Sequence, residues 1–236
     1  MAALAAVILV GGCDDIASGT ARPAPGAARP ALKQVLLDGA ALTKLLGQPF
    51  KGVPFSPPSY GGSEKFGTAY ESATPAECVG VVFMMQKIAY QSVPVQNVAD
   101  EMWTSDDHSS VRVDSVDEGV LSFPSSKDAA AAFAKFSAQW QECDSTTLNV
   151  SSVTSASNVI SDVRIADSVV AASVVMHPPE HSILTPVPVS RALGVRGNYL
   201  VEVAVDFFGN GDPSAQGSAD IKTSAIDIVH AMLALS

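Results

Sequence analysis

His177-Pro178-Pro179-Glu180-His181 carries the letters of H-x-x-E-H. In that pattern two histidines on one helix face hold zinc while a glutamate moves the proton. The chemistry needs a continuous helix. Two prolines inside the pentad deny it, because each removes an amide donor and crowds the preceding turn. The segment therefore reads as an exposed loop. Asp106-Asp107-His108 offers metal-ligand types, yet its place between two apolar runs fits a solvated connection. Asp206, Asn210 and Asp212 lack the full D-x-[DN]-x-[DN]-G spacing of a calcium loop, and turn formation explains them. The chain has no G-x-S-x-G elbow, S-x-x-K, glycine-rich phosphate loop or CxxC. No catalytic residue, metal ligand or cofactor is assigned on these grounds, and no ligand-binding residue is identified. Trp103 and Trp140 are candidates for lining a ligand cleft. Trp140, beside Phe133 and Phe136 on one helix, reads more simply as core.

The remaining reactive side chains are Cys13, Cys78 and Cys143. Ala2 to Val10 is uniformly apolar and too short to span a membrane. It leads into Leu9-Val10-Gly11-Gly12-Cys13, which resembles a lipobox, where the cysteine receives a diacylglycerol and the leader is removed. The absence of Lys or Arg before Cys13 departs from the usual leader pattern. Behind Cys13, the stretch Ile16 to Ala31 is almost wholly Ala, Pro, Gly, Ser and Thr, with Arg22 and Arg29. It lacks the large apolar residues that a packed element needs and reads as a disordered tether. The expected organisation is a signal peptide over 1–12, a lipidated cysteine and tether over 13–34, and one domain over 35–236 on the extracytoplasmic face. Three cysteines then resolve into one lipid anchor and one pair. Export favours a Cys78–Cys143 disulfide. The alternative, two free buried thiols, belongs to a chain that stays in the cytosol.

Hydrophobic residues make up 47% of the chain, enough for a real core, while charged residues make up only 16%. The net charge is −10. Such a chain repels phosphate backbones and anionic headgroups, which argues against nucleic acid as a partner and against purely electrostatic membrane docking.

These residues must be positioned by the elements around them. Leu36, Leu37, Leu42, Leu45 and Leu46 recur at helical spacing, with Gly47 as a stop. Thr74-Pro75-Ala76-Glu77 has the form of a capping box opening a helix through Cys78, Val81, Val82 and Met85. Val98 to Thr104, Val111 to Val116 and Gly119 to Phe123 read as strands. Ser125-Ser126-Lys127-Asp128 caps a helix running to Cys143. Strands are expected at Leu148 to Val150, Val159 to Ile165, Val169 to Met176, Ser190 to Val195 and Tyr199 to Phe208. Arg196-Gly197-Asn198 signals a hairpin between the last two. A final helix is expected from about Ala215 to Leu235. Interleaved helices and strands followed by a run of strands favour an α+β domain with a largely antiparallel sheet.

Four motifs carry a resemblance: Pro75-Ala76-Glu77-Cys78, with Tyr90 after it; Trp140-Gln141-Glu142-Cys143; Ser190-Arg191-Ala192-Leu193; and Asn198-Tyr199-Leu200-Val201-Glu202-Val203. In this order, with an amphipathic helix closing the chain, they resemble the PknH-like extracellular sensor-domain family. The resemblance covers roughly residues 35–235. It implies a twisted antiparallel sheet flanked by helices, a large ligand cleft and no catalytic activity. Members commonly carry a second cysteine pair; here Ser190 takes the position just before Arg-Ala-Leu. The expected function is that of a surface-anchored, non-enzymatic ligand-binding or sensory lipoprotein. It would hold a small amphipathic ligand in the cleft and touch the membrane through its lipid. The alternative is an envelope lipoprotein that binds another protein.

Overall fold

The structure is a computed structural model describing residues 31–105, 112–152, 154–208 and 217–236. Cys13 and residues 14–30 of the expected tether, the Asp106-Asp107-His108 cluster, and Asn210 and Asp212 lie outside the described residues.

Among the described residues nine strands build one antiparallel sheet: β1 (Phe50–Gly52), β2 (Ser59–Gly61), β3 (Asn97–Ser105), β4 (Val113–Ser122), β5 (Thr147–Asn149), β6 (Ser157–Ala166), β7 (Val169–His177), β8 (Val187–Arg196) and β9 (Tyr199–Phe207). Their order is β1-β3-β4-β9-β8-β7-β6-β5, with β2 also paired to β3. Short β1 and β5 close the two edges, leaving little unpaired backbone to recruit another strand. The long central strands β8 and β9 are buried on both faces, so their sequences run almost continuously apolar rather than alternating.

Helices α1 (Gly39–Leu46) and α5 (Ser224–Leu235) cover one face. Leu42, Leu46, Ile228, Val229 and Met232 pack there against Val116, Val120, Val201, Val203 and Val205. The other face meets α4 (Ser126–Glu142) and two short helices, α2 (Val79–Val82) and α3 (Lys87–Tyr90). Val81, Tyr90, Phe136 and Trp140 pack there against Leu121, Ile160, Leu193 and Leu200. An α+β architecture with a helix-flanked antiparallel sheet is what the sequence patterns implied.

Local departures have physical causes. The leucine-rich segment splits at Asp38, whose side chain accepts the Ala41 amide at 2.8 Å and caps α1. Leu36 and Leu37 precede that cap, and Gly47 ends the helix at φ +72°. The expected capping box at Thr74 does not form. Thr74 is instead engaged through its backbone with Asn149, at 3.0 and 2.8 Å, and the chain enters a 3-10 turn over Ala76–Cys78 before α2. The last helix starts at Ser224 because Asp220 organises a turn ahead of it, accepting from Lys222 and Ser224 amides. Leu32 and Val35 are buried in the core, so packing reaches ahead of residue 35. The β6–β7 turn uses Asp167 and Ser168, both at positive φ.

Ser190 is buried and its hydroxyl accepts the Ala225 amide at 3.4 Å. This contact ties the start of α5 to β8.

Candidate functional site

The face that carries α4 is only partly covered. Between the sheet and the chain following α2 lies a cleft of about 560 Å³, within the range of small-molecule sites. Its floor comes from neighbouring strands: Asp117 on β4, Ala204 and Asp206 on β9, Val187 and Val189 on β8, and Met176 on β7. One wall is Val82-Phe83-Met84, with Tyr70 stacked on Phe83 at 3.6 Å between ring centroids. Leu184 and Thr185, in the β7–β8 connection, form part of the rim.

That wall is irregular chain, and three devices hold it. A disulfide joins Cys78, just before α2, to Cys143 at the end of α4, and both sulfurs are buried. Arg191 rises from β8, fully buried. Its guanidinium donates to the carbonyls of Gly80 and Val81 at 3.1 and 2.9 Å and to Val203 at 2.8 Å. A four-residue helix leaves its terminal carbonyls unpaired, and Arg191 satisfies two of them from the sheet. Glu202 sits 3.7 Å from Arg191. It accepts the Met85 amide at 3.1 Å and the Tyr90 hydroxyl. Met85 holds φ +52°, and Gly119 on β4 leaves room for its side chain: a Cβ there would collide with Met85 Cε. The Arg191 guanidinium also lies 5.6 Å from the centre of the Trp140 ring. Burial raises the Tyr90 hydroxyl well above its ordinary range, and the Glu202 carboxylate adds to this. Burial also raises Glu202, with Arg191 and Tyr90 opposing.

The cleft acids are perturbed as well. Asp117 lies deep among protein atoms yet stays half-open to the cleft. Burial and then the Asp206 charge push its carboxyl up to about 7, against the pull of Arg191. Burial likewise lifts Asp206 to about 6, opposed first by a hydrogen bond from Ser115. Both folded values lie above those of unfolded aspartate, near 4. From about pH 4 to about pH 7 the folded chain therefore holds more protons, and these groups erode stability as pH rises through that window. Asp117→Asn should raise stability at pH 7.5 by about 1–2 kcal/mol after solvent screening, with little effect near pH 4. Denaturant unfolding at the two pH values checks it. A loss at pH 7.5 would mean that the ionised carboxylate stabilises the fold.

The residues singled out earlier fall as follows. His177 ends β7, and Glu180 and His181 lie in the turn beyond it, so no helix unites them. Trp140 is core at 1% exposure. Trp103 faces away from the cleft and lines a shallower hollow of about 490 Å³ on the α1 face, with Lys33, Leu37 and Glu101. Asp206 belongs to the cleft floor rather than to a turn. Asp117, Arg191 and Glu202 were not assigned site roles from sequence, although Arg191 and Glu202 interrupt otherwise apolar strands.

An open antiparallel sheet with a cleft on one face and helices on both defines a single α+β domain. The chain belongs to the PknH-like extracellular domain family, whose model matches residues 27–234. It is also similar to the crystal structure of the extracellular domain of PknH from Mycobacterium tuberculosis. The two share 15% sequence identity with a TM-score of 0.69, covering 87% of this chain and 94% of that one, a likeness of fold. Comparison with curated protein sequences gives no match. Among the described residues, no helix is long and apolar enough to cross a membrane.

Proposed function

We propose that this chain is an extracytoplasmic lipoprotein whose domain is a non-enzymatic sensor, binding a small uncharged or weakly cationic amphipathic molecule in the cleft. In this reading residues 1–12 are a leader, Cys13 carries the lipid and the segment from there to the buried Leu32 is the tether. The observation that carries the binding role is the cleft itself: apolar walls with a few polar anchors on a rigid floor. The protein-docking alternative calls for a contiguous exposed apolar patch. The most exposed large apolar side chains, Phe55 and Ile183, lie in connections several strands apart.

A thermal-shift screen against envelope lipids, glycolipids and wall fragments tests the binding role. A ligand that prefers the folded form should stabilise it by about 2.7 kcal/mol at a hundredfold excess over Kd. No shift with any of them moves the assignment to the protein-interaction reading. For the anchor, Cys13→Ala should move the protein from membranes to the soluble fraction. A variant that remains on membranes through carbonate washing would place the anchor elsewhere.

A further inference from the structure

We propose that the cleft selects amphiphiles bearing an ammonium group, held between the Asp117 and Asp206 carboxylates with the apolar portion along Val82, Phe83 and Val189. This rests on the cleft reading above and narrows it to a charge class.

Register brings the two acids together. Asp117 pairs with Ala204, and Ser115 with Asp206. Asp117 and Asp206 are therefore diagonal neighbours on one sheet face, roughly 7–8 Å apart by strand geometry. An ammonium with three donors can reach both. Asp117 has no hydrogen-bond partner among the described residues, and Asp206 accepts one bond, from Ser115 Oγ at 3.3 Å. Their acceptor capacity is otherwise open to the cleft.

Charge accounting points the same way. Among the described lining residues the cleft holds Asp117 and Asp206 with no Lys, Arg or His beside them. The nearby cation is Arg191, on the same sheet face and level with Asp117 across Ala204, but its guanidinium is buried under the wall and engaged by Gly80, Val81, Val203 and Glu202. Asp100, on β3, adds a further negative charge beside Asp117. An entering cation relieves the repulsion among these acids, whereas an anionic head meets it. The stacked Tyr70 and Phe83 rings supply an aromatic surface that also suits a cation. Among the described residues no three His, Cys, Asp or Glu side chains converge as metal ligands, which favours an organic cation over a metal ion.

The test uses three probes with one tail: octylamine, octanol and octanoate, titrated calorimetrically into the intact chain at about pH 8. There the amine is protonated and Asp117 ionised. Octylamine should bind at least about tenfold more tightly than octanol, as expected for one charge-assisted contact, and octanoate more weakly than either. Asp117→Asn combined with Asp206→Asn should erase the amine's advantage while leaving the octanol affinity unchanged, which also shows that the cleft is intact. Equal affinity for octanol and octylamine in the parent chain overturns the charge selection and leaves the cleft reading standing. Binding of none of the three overturns both.

Discussion

Replacing Arg191 by methionine should destabilise the domain by about 3–5 kcal/mol, the range for breaking a buried ion pair from one side. The loss has two parts. Glu202, 2% exposed, is left without its countercharge. The carbonyls of Gly80, Val81 and Val203 lose a buried donor that water replaces poorly. Lysine is no substitute, because one ammonium cannot reproduce the fork that reaches carbonyls on two elements. Urea unfolding of Arg191→Met measures the effect. Adding Glu202→Gln should recover part of it, since the buried charge is then gone while an acceptor remains for the Met85 amide or the Tyr90 hydroxyl. A single-variant cost below about 1 kcal/mol would show that the segment around α2 is held by other contacts.

Removing the disulfide should cost about 4 kcal/mol. Cys78 and Cys143 are 65 residues apart, and closing a loop of that length restricts the unfolded chain by about this amount. The double variant Cys78→Ala with Cys143→Ala, compared with the oxidised parent by denaturant unfolding, gives the number. Both side chains are buried at the junction of α2 and α4, so the variant should also bind cleft ligands more weakly, because the wall loses its anchor at the near end. An unchanged unfolding midpoint would show that the crosslink adds nothing to stability.

Sequence patterns located elements well where local signals decide them. The helix over 126–142 has a serine cap and a Phe136–Trp140 stripe. The Gly197-Asn198 turn joins two strands whose pairing register it sets. The wall of the cleft departs from the expected capped helix because its helix is short for non-local reasons. Thr74 is bound to Asn149 and the end of α2 is capped by Arg191, partners far along the chain. The cleft acids were hidden for a related reason. Asp117 falls in the gap between the strands expected at 111–116 and 119–123, which the structure joins into β4, and Asp206 looks like the start of a turn. Only the β4–β9 register makes them neighbours, and register is not written in the spacing of either segment. Glu202 and Arg191 were legible as motif residues, but their contact needs the β8–β9 pairing together with the segment lying over it.

The two coverings of the sheet are fastened unequally. The layer holding the cleft wall is tied by a covalent bond and a buried ion pair, whereas α5 is tied by two hydrogen bonds, from its Ala225 amide to the Ser190 hydroxyl and from Arg196 to its Leu233 carbonyl, and otherwise by packing. Local opening follows the weakest fastening. Transient excursions of this domain therefore begin with α5 lifting from the back of β8 and β9, exposing those backs to solvent while the cleft on their fronts keeps its shape. A protease or a binding partner that samples such excursions would meet the C-terminal helix first, with the disulfide-held wall still in place.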